Sequence, residues 1–342
     1  MKAAVFTRPG QILIQEAPVP SPAPNHALVR VAGCGVCGTD VHIHHGELTE
    51  GIVPPVVLGH EIAGVVEAVG REVENVRVGE RVAIDPLIAC GRCDHCRAGM
   101  PNLCDRPTIV GYAMNGGFAQ YLCVPASHLY GLSPSLPAKA GILVETLACV
   151  LHGYDRLGFR AGCSAMVLGA GTVGLLWNQL LGHSPCTVLV QSEPVAFRRR
   201  LAAELGADVV IDPLSEDLPA RVREVDPEGI DYIVDASGDP AAISQAIRLV
   251  KRHGTFMIFG VCPRDATVSI NPHDLYQAEV RIIASKMPPL TLGRAARLIE
   301  AGRIDSERIV TTTLDLPSLP EAIRLFEEAR DRHVKMMIDP WR

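Results

Sequence analysis

Near the middle of the chain, Gly169-Ala170-Gly171-Thr172-Val173-Gly174 separates a short apolar run, Met166–Leu168, from a longer one, Leu175–Leu181. The first run has the length of a buried strand and the second the pattern of a helix. A G-x-G-x-x-G loop in that position constrains the fold severely. Its first glycine permits a tight turn, its second lets backbone approach a bound group, and its third lets helix and strand pack closely. The pattern then repeats. Thr187–Val190 reads as a strand, Arg198–Leu205 as a helix ending at Gly206, Val209–Ile211 as a strand, and Tyr232–Val234 as another. A helix capped by Asp239, with Pro240 at its first position, is expected to run to His253 before a strand at Thr255–Phe259. Alternation of this kind predicts a doubly wound parallel sheet covered on both faces.

The helix that follows the glycines offers free N–H groups to a pyrophosphate, so this half reads as a dinucleotide-binding domain. Gly169, Gly171, Thr172, Val173 and Gly174 are its candidate contacts. An acidic residue is expected at the end of the second strand, and Glu193 stands there. A carboxylate at that place accepts from ribose hydroxyls and repels a 2′-phosphate, which favours NAD over NADP. The run Arg198-Arg199-Arg200 reads first as a solvated helix face, with Arg198 a candidate for cofactor contact. Asp235-Ala236-Ser237-Gly238 and Gly260-Val261 fall at carboxyl ends of strands, where ligands bind. Ser237, Gly260 and Val261 are therefore placed with the nicotinamide.

Residues 1 to about 140 have a different texture. Short β-type runs at Leu28–Val31, Ile62–Val69 and Arg81–Ile84 are separated by turn signals, as in an irregular β domain. Two amphipathic helices, about Leu292–Ala301 and Pro320–Arg330, and a strand at Val334–Ile338 close the chain. Eleven cysteines, an odd number, with no signal segment at the start, make a disulfide framework a poor reading and metal binding in a reducing cytoplasm a better one. Cys90, Cys93, Cys96 and Cys104, spaced C-x2-C-x2-C-x7-C, suit a closed tetrahedral zinc that stabilises a loop. The net charge of −6 argues against nucleic-acid binding, and no apolar run is long enough to span a membrane.

Three further pieces, Gly35-Val36-Cys37-Gly38-Thr39-Asp40-Val41-His42, Gly59-His60-Glu61 and Glu145-Thr146-Leu147, carry the Cys, His and carboxylate types of an open zinc site. Together with the glycine loop and the four-cysteine segment, they resemble the zinc-dependent medium-chain dehydrogenase/reductase family. The likeness is closest to its polyol (sorbitol-type) and threonine dehydrogenases. It includes Gly59-His60-Glu61-Ile62-Ala63-Gly64 with Gly70.

The resemblance implies a GroES-like catalytic domain over residues 1–145 and 285–342, and a Rossmann coenzyme domain over residues 146–284. It implies two zinc ions per chain and NAD. Cys37, His60, Glu61 and Glu145 would surround the catalytic zinc. Thr39 and His42 would pass the substrate proton outward, and Asp40 would orient His60. Thr146 stands where the family usually carries proline, which is expected to leave the ligand unaffected. The implied reaction oxidises a secondary alcohol of a polyol to the ketose. A threonine-type or simple secondary-alcohol dehydrogenase is the alternative within the family, and a non-enzymatic zinc and nucleotide binder the alternative outside it. Tyr112, Asn115, Phe118 and Lys286 are substrate candidates by the same resemblance. Ala266–Ile270 resembles the family's dimer-edge strand, which implies a homodimer or homotetramer.

Overall fold

The computed structural model describes all 342 residues, which form two compact units. The first comprises residues 1–148, 288–302 and 306–342, and the second residues 149–287 and 303–305.

In the first unit, β1 (Lys2–Arg8), β2 (Gln11–Glu16) and β4 (Val56–Val57) form a small antiparallel sheet. A larger sheet is built on β3 (His26–Gly35), β5 (Glu61–Val69), β6 (Arg81–Ile84), β9 (Tyr121–Pro125) and β10 (Leu129–Leu132). The short pair β7 (Leu87–Ile88) and β8 (Thr108–Ile109) lies outside it. The register of β3 against β5 sets the rest of the site. The two run antiparallel with Gly35 opposite Glu61, so the end of β3 lies beside the start of β5. Immediately after β3 comes the helix α1 (Gly38–His45), and α4 (Leu143–Leu157) begins the passage towards the second unit.

The second unit holds six parallel strands: β11 (Ala165–Leu168), β12 (Leu189–Ser192), β13 (Val209–Ile211), β14 (Ile230–Asp235), β15 (Val250–Ile258) and β16 (Arg281–Ala284). Their order, β13-β12-β11-β14-β15-β16, reverses direction between β11 and β14. That is the switch point at which such sheets bind ligands. Helix α5 (Thr172–Gly182) is buried nearly all round, which explains its largely apolar sequence. Helix α6 (Ala196–Glu204) follows β12. The chain then returns to the first unit, where β17 (Val310–Asp315) and β18 (Lys335–Asp339) join the larger sheet through β18 and β3.

Three expectations need correction. The helix capped by Asp239 ends at Ala246, and a single tight turn leads into β15 at Val250. Pairing of β15 with β14 takes over from helical periodicity there. The second strand of the parallel sheet is Leu189–Ser192 instead of Thr187–Val190, because β11 pairs Ala165 with Leu189. Residues 266–270 form no strand: a turn closing on Pro263 precedes them and the Asn271 cap follows. The edge of the sheet is β16, whose Ile282 is exposed.

Asp85, after β6, is 7% exposed, and its carboxylate accepts one hydrogen bond, from Leu87 N at 3.0 Å. Burial raises its pKa to about 6 in spite of that bond. An acid whose folded pKa exceeds its unfolded value of about 3.9 favours folding most below the latter, and the benefit is lost as pH rises through about 6. Asp85→Asn, which keeps the acceptor, is therefore expected to raise stability at pH 7–8 by about 1–3 kcal/mol and to have little effect near pH 4. Denaturant melts at the two pH values check this; equal shifts at both would refute it.

Candidate functional site

Cys37 is the N-cap of α1, two residues beyond the end of β3. Its backbone N–H donates to Asp40 Oδ2 at 2.9 Å, which satisfies one of the free donors at the helix start. His60 and Glu61 open β5. Since β3 and β5 are antiparallel neighbours, residues about 25 apart in sequence meet. The ligand atoms of Cys37, His60 and Glu61 all lie within 4.8 Å of one another. Asp40, completely buried, places Oδ1 3.6 Å from His60 Nδ1. That arrangement turns the ring's other nitrogen, Nε2, away from the aspartate and leaves it available to a metal. Burial depresses the His60 pKa, but Asp40 and the Cys37 sulfur outweigh it and hold the imidazole well above its usual range. Anionic groups gathered around a buried imidazole are what a divalent cation would neutralise, and a sulfur, nitrogen and oxygen donor set suits zinc with an exchangeable position.

Around this trio, Thr39 Oγ1 lies 3.7 Å from Cys37 Sγ. Tyr112 meets the His60 ring edge-on at 6.1 Å, and burial raises its phenol pKa to about 12. Thr39 and His42 both lie on α1, where His42 is exposed and hydrogen-bonds Glu47 at 2.5 Å. Glu145, at the head of α4, is buried. Phe118 is completely buried in the core, so its side chain supports the fold and faces no cleft. Asn115 is exposed and uses Oδ1 to accept from Val57 N at 3.0 Å.

Lys335 escaped the sequence reading, and Thr146 was read without its partner. Lys335, on β18 and 2% exposed, forms an ion pair with Glu61 and donates to Val36 O at 3.0 Å. Burial lowers its pKa, yet Glu61 and the Cys37 sulfur more than compensate and leave it raised. Thr146 Oγ1 donates to Glu61 Oε1 at 2.9 Å, a contact with a second candidate ligand that the sequence reading did not foresee. A lone lysine inside the apolar strand Val334–Ile338 was the available signal for the first. Nothing in sequence spacing points to the second.

The four-cysteine segment closes on itself. Cys90, Cys93, Cys96 and Cys104 have ligand atoms mutually within 4.8 Å, with Cys90 Sγ and Cys96 Sγ 4.0 Å apart. Sulfurs around a tetrahedral zinc stand about 3.8 Å apart, given Zn–S bonds of about 2.3 Å. Backbone N–H groups of Cys90 and Arg106 point at Cys104 Sγ, at 3.3 and 3.4 Å. Those of Arg92 and Cys93 lower the Cys90 pKa to about 6. Backbone donors aimed at sulfur favour thiolates, the form that binds metal. All eleven cysteines are free of disulfides.

In the second unit, the glycine loop follows β11. Gly169 has φ +86, and a Cβ at Gly174 would stand 1.9 Å from Gly169 O, so neither position accepts a side chain. Gly171 caps α5, whose first residues are Thr172 and Val173. The Glu193 carboxylate is buried and accepts from Ala170 N at 2.5 Å and Val195 N at 2.8 Å, tying β12 to the loop. The arginine run is not a uniform solvated face. Arg199 donates to Glu193 O and Pro194 O and pairs with Asp212 at 2.9 Å. Arg198 passes within 3.8 Å of the place a Gly171 Cβ would occupy, and only Arg200 is fully exposed. Asp235 Oδ1 accepts from Ser237 N and Ser237 Oγ, at 2.9 and 2.6 Å. A Cβ at Gly260 would stand 2.2 Å from Gly238 N, and Val261 is 86% exposed. Lys286 is exposed just beyond β16.

The alcohol dehydrogenase GroES-like domain matches residues 23–134, and the zinc-binding dehydrogenase domain matches residues 172–300. D-arabinitol dehydrogenase 1 of Uromyces fabae is 32% identical over 94% of this chain and 93% of its own length. L-threonine 3-dehydrogenase of Pyrococcus horikoshii is 33% identical over 91% of this chain and 90% of its own. Among solved structures, a zinc-binding dehydrogenase from Sinorhizobium meliloti 1021, bound to NADP, superposes with a TM-score of 0.96 at 36% identity and covers 99% of both chains. The chain belongs to the zinc-dependent medium-chain dehydrogenase/reductase family. Within that family it falls with the polyol and threonine dehydrogenases, as an NAD(P)-dependent oxidoreductase of alcohols.

Proposed function

We propose that this enzyme oxidises a secondary alcohol of a polyol or sugar alcohol to the ketose, with NAD as the acceptor. The observation that carries the reading is the meeting of half-buried Cys37 with buried His60 and Glu61 beside Asp40. Cys37, His60 and Glu61 would hold a catalytic zinc, with Glu145 at the head of α4 as a further candidate carboxylate, and the four cysteines a structural one. Bound zinc supplies Lewis acidity that lowers the pKa of a substrate hydroxyl. The chain's own groups do the rest. Asp40 holds the His60 ring in orientation. Thr39 is placed by its contact with Cys37 to accept a hydrogen bond from the substrate hydroxyl as it passes its own proton on, and His42, exposed on the same helix beside Glu47, is placed to release a proton to solvent. Tyr112 packs edge-on against the His60 ring. The Ser237 turn and the backbone at Gly260 and Val261 would bind the nicotinamide, and the Gly169–Gly174 loop the pyrophosphate. Lys286 is a candidate for holding a substrate hydroxyl.

NAD is favoured because the Glu193 charge, fixed by two backbone donors, stands at the ribose end of the loop and repels a 2′-phosphate. Arg198 beside Gly171 favours the second reading, NADP, which the Sinorhizobium meliloti protein binds. Eleven free thiols suit a cytoplasmic location, and no helix is long and apolar enough to cross a membrane. The open edge at β16, with Ile282 exposed, supports a homodimer or homotetramer.

The test is steady-state oxidation of C4 to C6 polyols, threonine and short secondary alcohols with NAD and with NADP, alongside zinc analysis. The expected result is two zinc ions per chain and the highest kcat/KM for a polyol with NAD. A higher value with NADP overturns the cofactor assignment. Preference for threonine overturns the substrate class, and no turnover with any of them overturns the enzyme reading.

A further inference from the structure

Glu61 is 1% exposed, and both of its carboxylate oxygens are engaged from outside the metal-ligand trio. Oε1 accepts from the Thr146 hydroxyl at 2.9 Å, and Oε2 is paired with Lys335. The three residues come from separate places in the first unit: the start of β5, the head of α4 and the start of β18. The space for them is kept by Gly35, opposite Glu61 on β3. A Cβ there would stand 2.1 Å from Glu61 Oε2 and 2.8 Å from Lys335 Cε. A buried carboxylate has four lone-pair sites and stays in one orientation only if its partners are fixed. Lys335 alone is a point charge on a flexible stem and does not fix the carboxylate plane. The hydroxyl on α4 supplies the second point that does.

We propose that Thr146 is a positioning residue: its hydroxyl, acting with Lys335 on the opposite oxygen, sets the carboxylate plane of Glu61 and so governs how Glu61 meets a metal shared with Cys37 and His60. The inference rests on the zinc reading above. Proline, the residue the family resemblance leads one to expect at this position, has no donor and would leave Oε1 without this partner. The chain therefore holds its ligand carboxylate by a hydrogen bond from α4 that a proline-bearing relative must replace or forgo.

The experiment compares wild type, Thr146→Val and Thr146→Ser. Valine matches threonine in shape and lacks the hydroxyl, and serine restores it. Two readouts need no turnover: the rate of zinc release to a chromophoric chelator, and the visible absorption of protein reconstituted with Co2+. The four-cysteine segment contributes equally to every spectrum, so differences between variants report the trio. Loss of an outer hydrogen bond to a ligand costs about 10–100-fold in metal affinity. Thr146→Val is expected to release one zinc about that much faster and to shift the Co2+ bands, whereas Thr146→Ser stays near wild type. Should valine destabilise the fold, Thr146→Ala gives the same comparison with a smaller side chain. Unchanged release and an unchanged spectrum in a folded Val or Ala variant overturn the role of Thr146 and leave the zinc reading intact. If wild type takes up only the one ion of the four-cysteine segment, the zinc reading itself fails.

Discussion

Cys37→Ser is expected to reduce kcat by at least about 10³-fold while leaving the fold and dinucleotide affinity in place. The size follows from what is removed. A metal that polarises a reacting oxygen is worth several kcal/mol in the transition state, and each 1.36 kcal/mol is tenfold in rate. Neutral hydroxyl is a far poorer zinc ligand than thiolate, so the site should lose its ion or hold it weakly. The structural cost is small for a specific reason. Cys37 is an N-cap, a position at which serine is among the preferred residues, and the bond from its backbone N–H to Asp40 does not involve the side chain. The glycine loop lies in the other unit. The measurements are turnover, zinc per chain and the fluorescence titration of NADH. Turnover within tenfold of wild type, with one zinc fewer, would show that the trio holds no catalytic metal.

Sequence reading located the chemistry better than it located its supports. The strand, glycine loop and helix around Gly169 were legible because strands of a parallel sheet are short, apolar and bounded by turns, and the loop's steric demands admit little but glycine. Boundaries were less so. Helical spacing continued past Ala246, yet Val250 and the residues after it are claimed by β14, and pairing between strands leaves no trace in local periodicity. The same applies to the site. Cys37, His60 and Glu61 stand in recognisable motifs, whereas Lys335 reaches Glu61 from the last strand and Thr146 from a helix head, so only the fold joins them. Arg199 shows the limit in the coenzyme unit. A run of three arginines has the look of a wet surface, but one of them is anchored to two carbonyl groups and an aspartate.

Lys335→Met tests the electrostatics of that hidden support, and its effect should depend on whether metal is present. Glu61 and Lys335 are both almost completely buried, and removing one member of such a pair leaves an uncompensated charge that costs about 3–5 kcal/mol. For a unit of this size, at about 2–4 °C per kcal/mol, that corresponds to a fall in Tm of about 6–20 °C. In the metal-free protein nothing else replaces the ammonium, since the second partner of Glu61 is the neutral hydroxyl of Thr146. With zinc bound, the cation itself faces the carboxylate, so the penalty should shrink. Chelator removes zinc from the four-cysteine segment as well, but it does so in wild type and variant alike. The difference between their Tm values therefore isolates Glu61. A difference that is large without metal and clearly smaller with it places Glu61 among the ligands. Equal differences in both states would mean that the carboxylate belongs to Lys335 alone, with Cys37 and His60 left to seek their third protein ligand at Glu145.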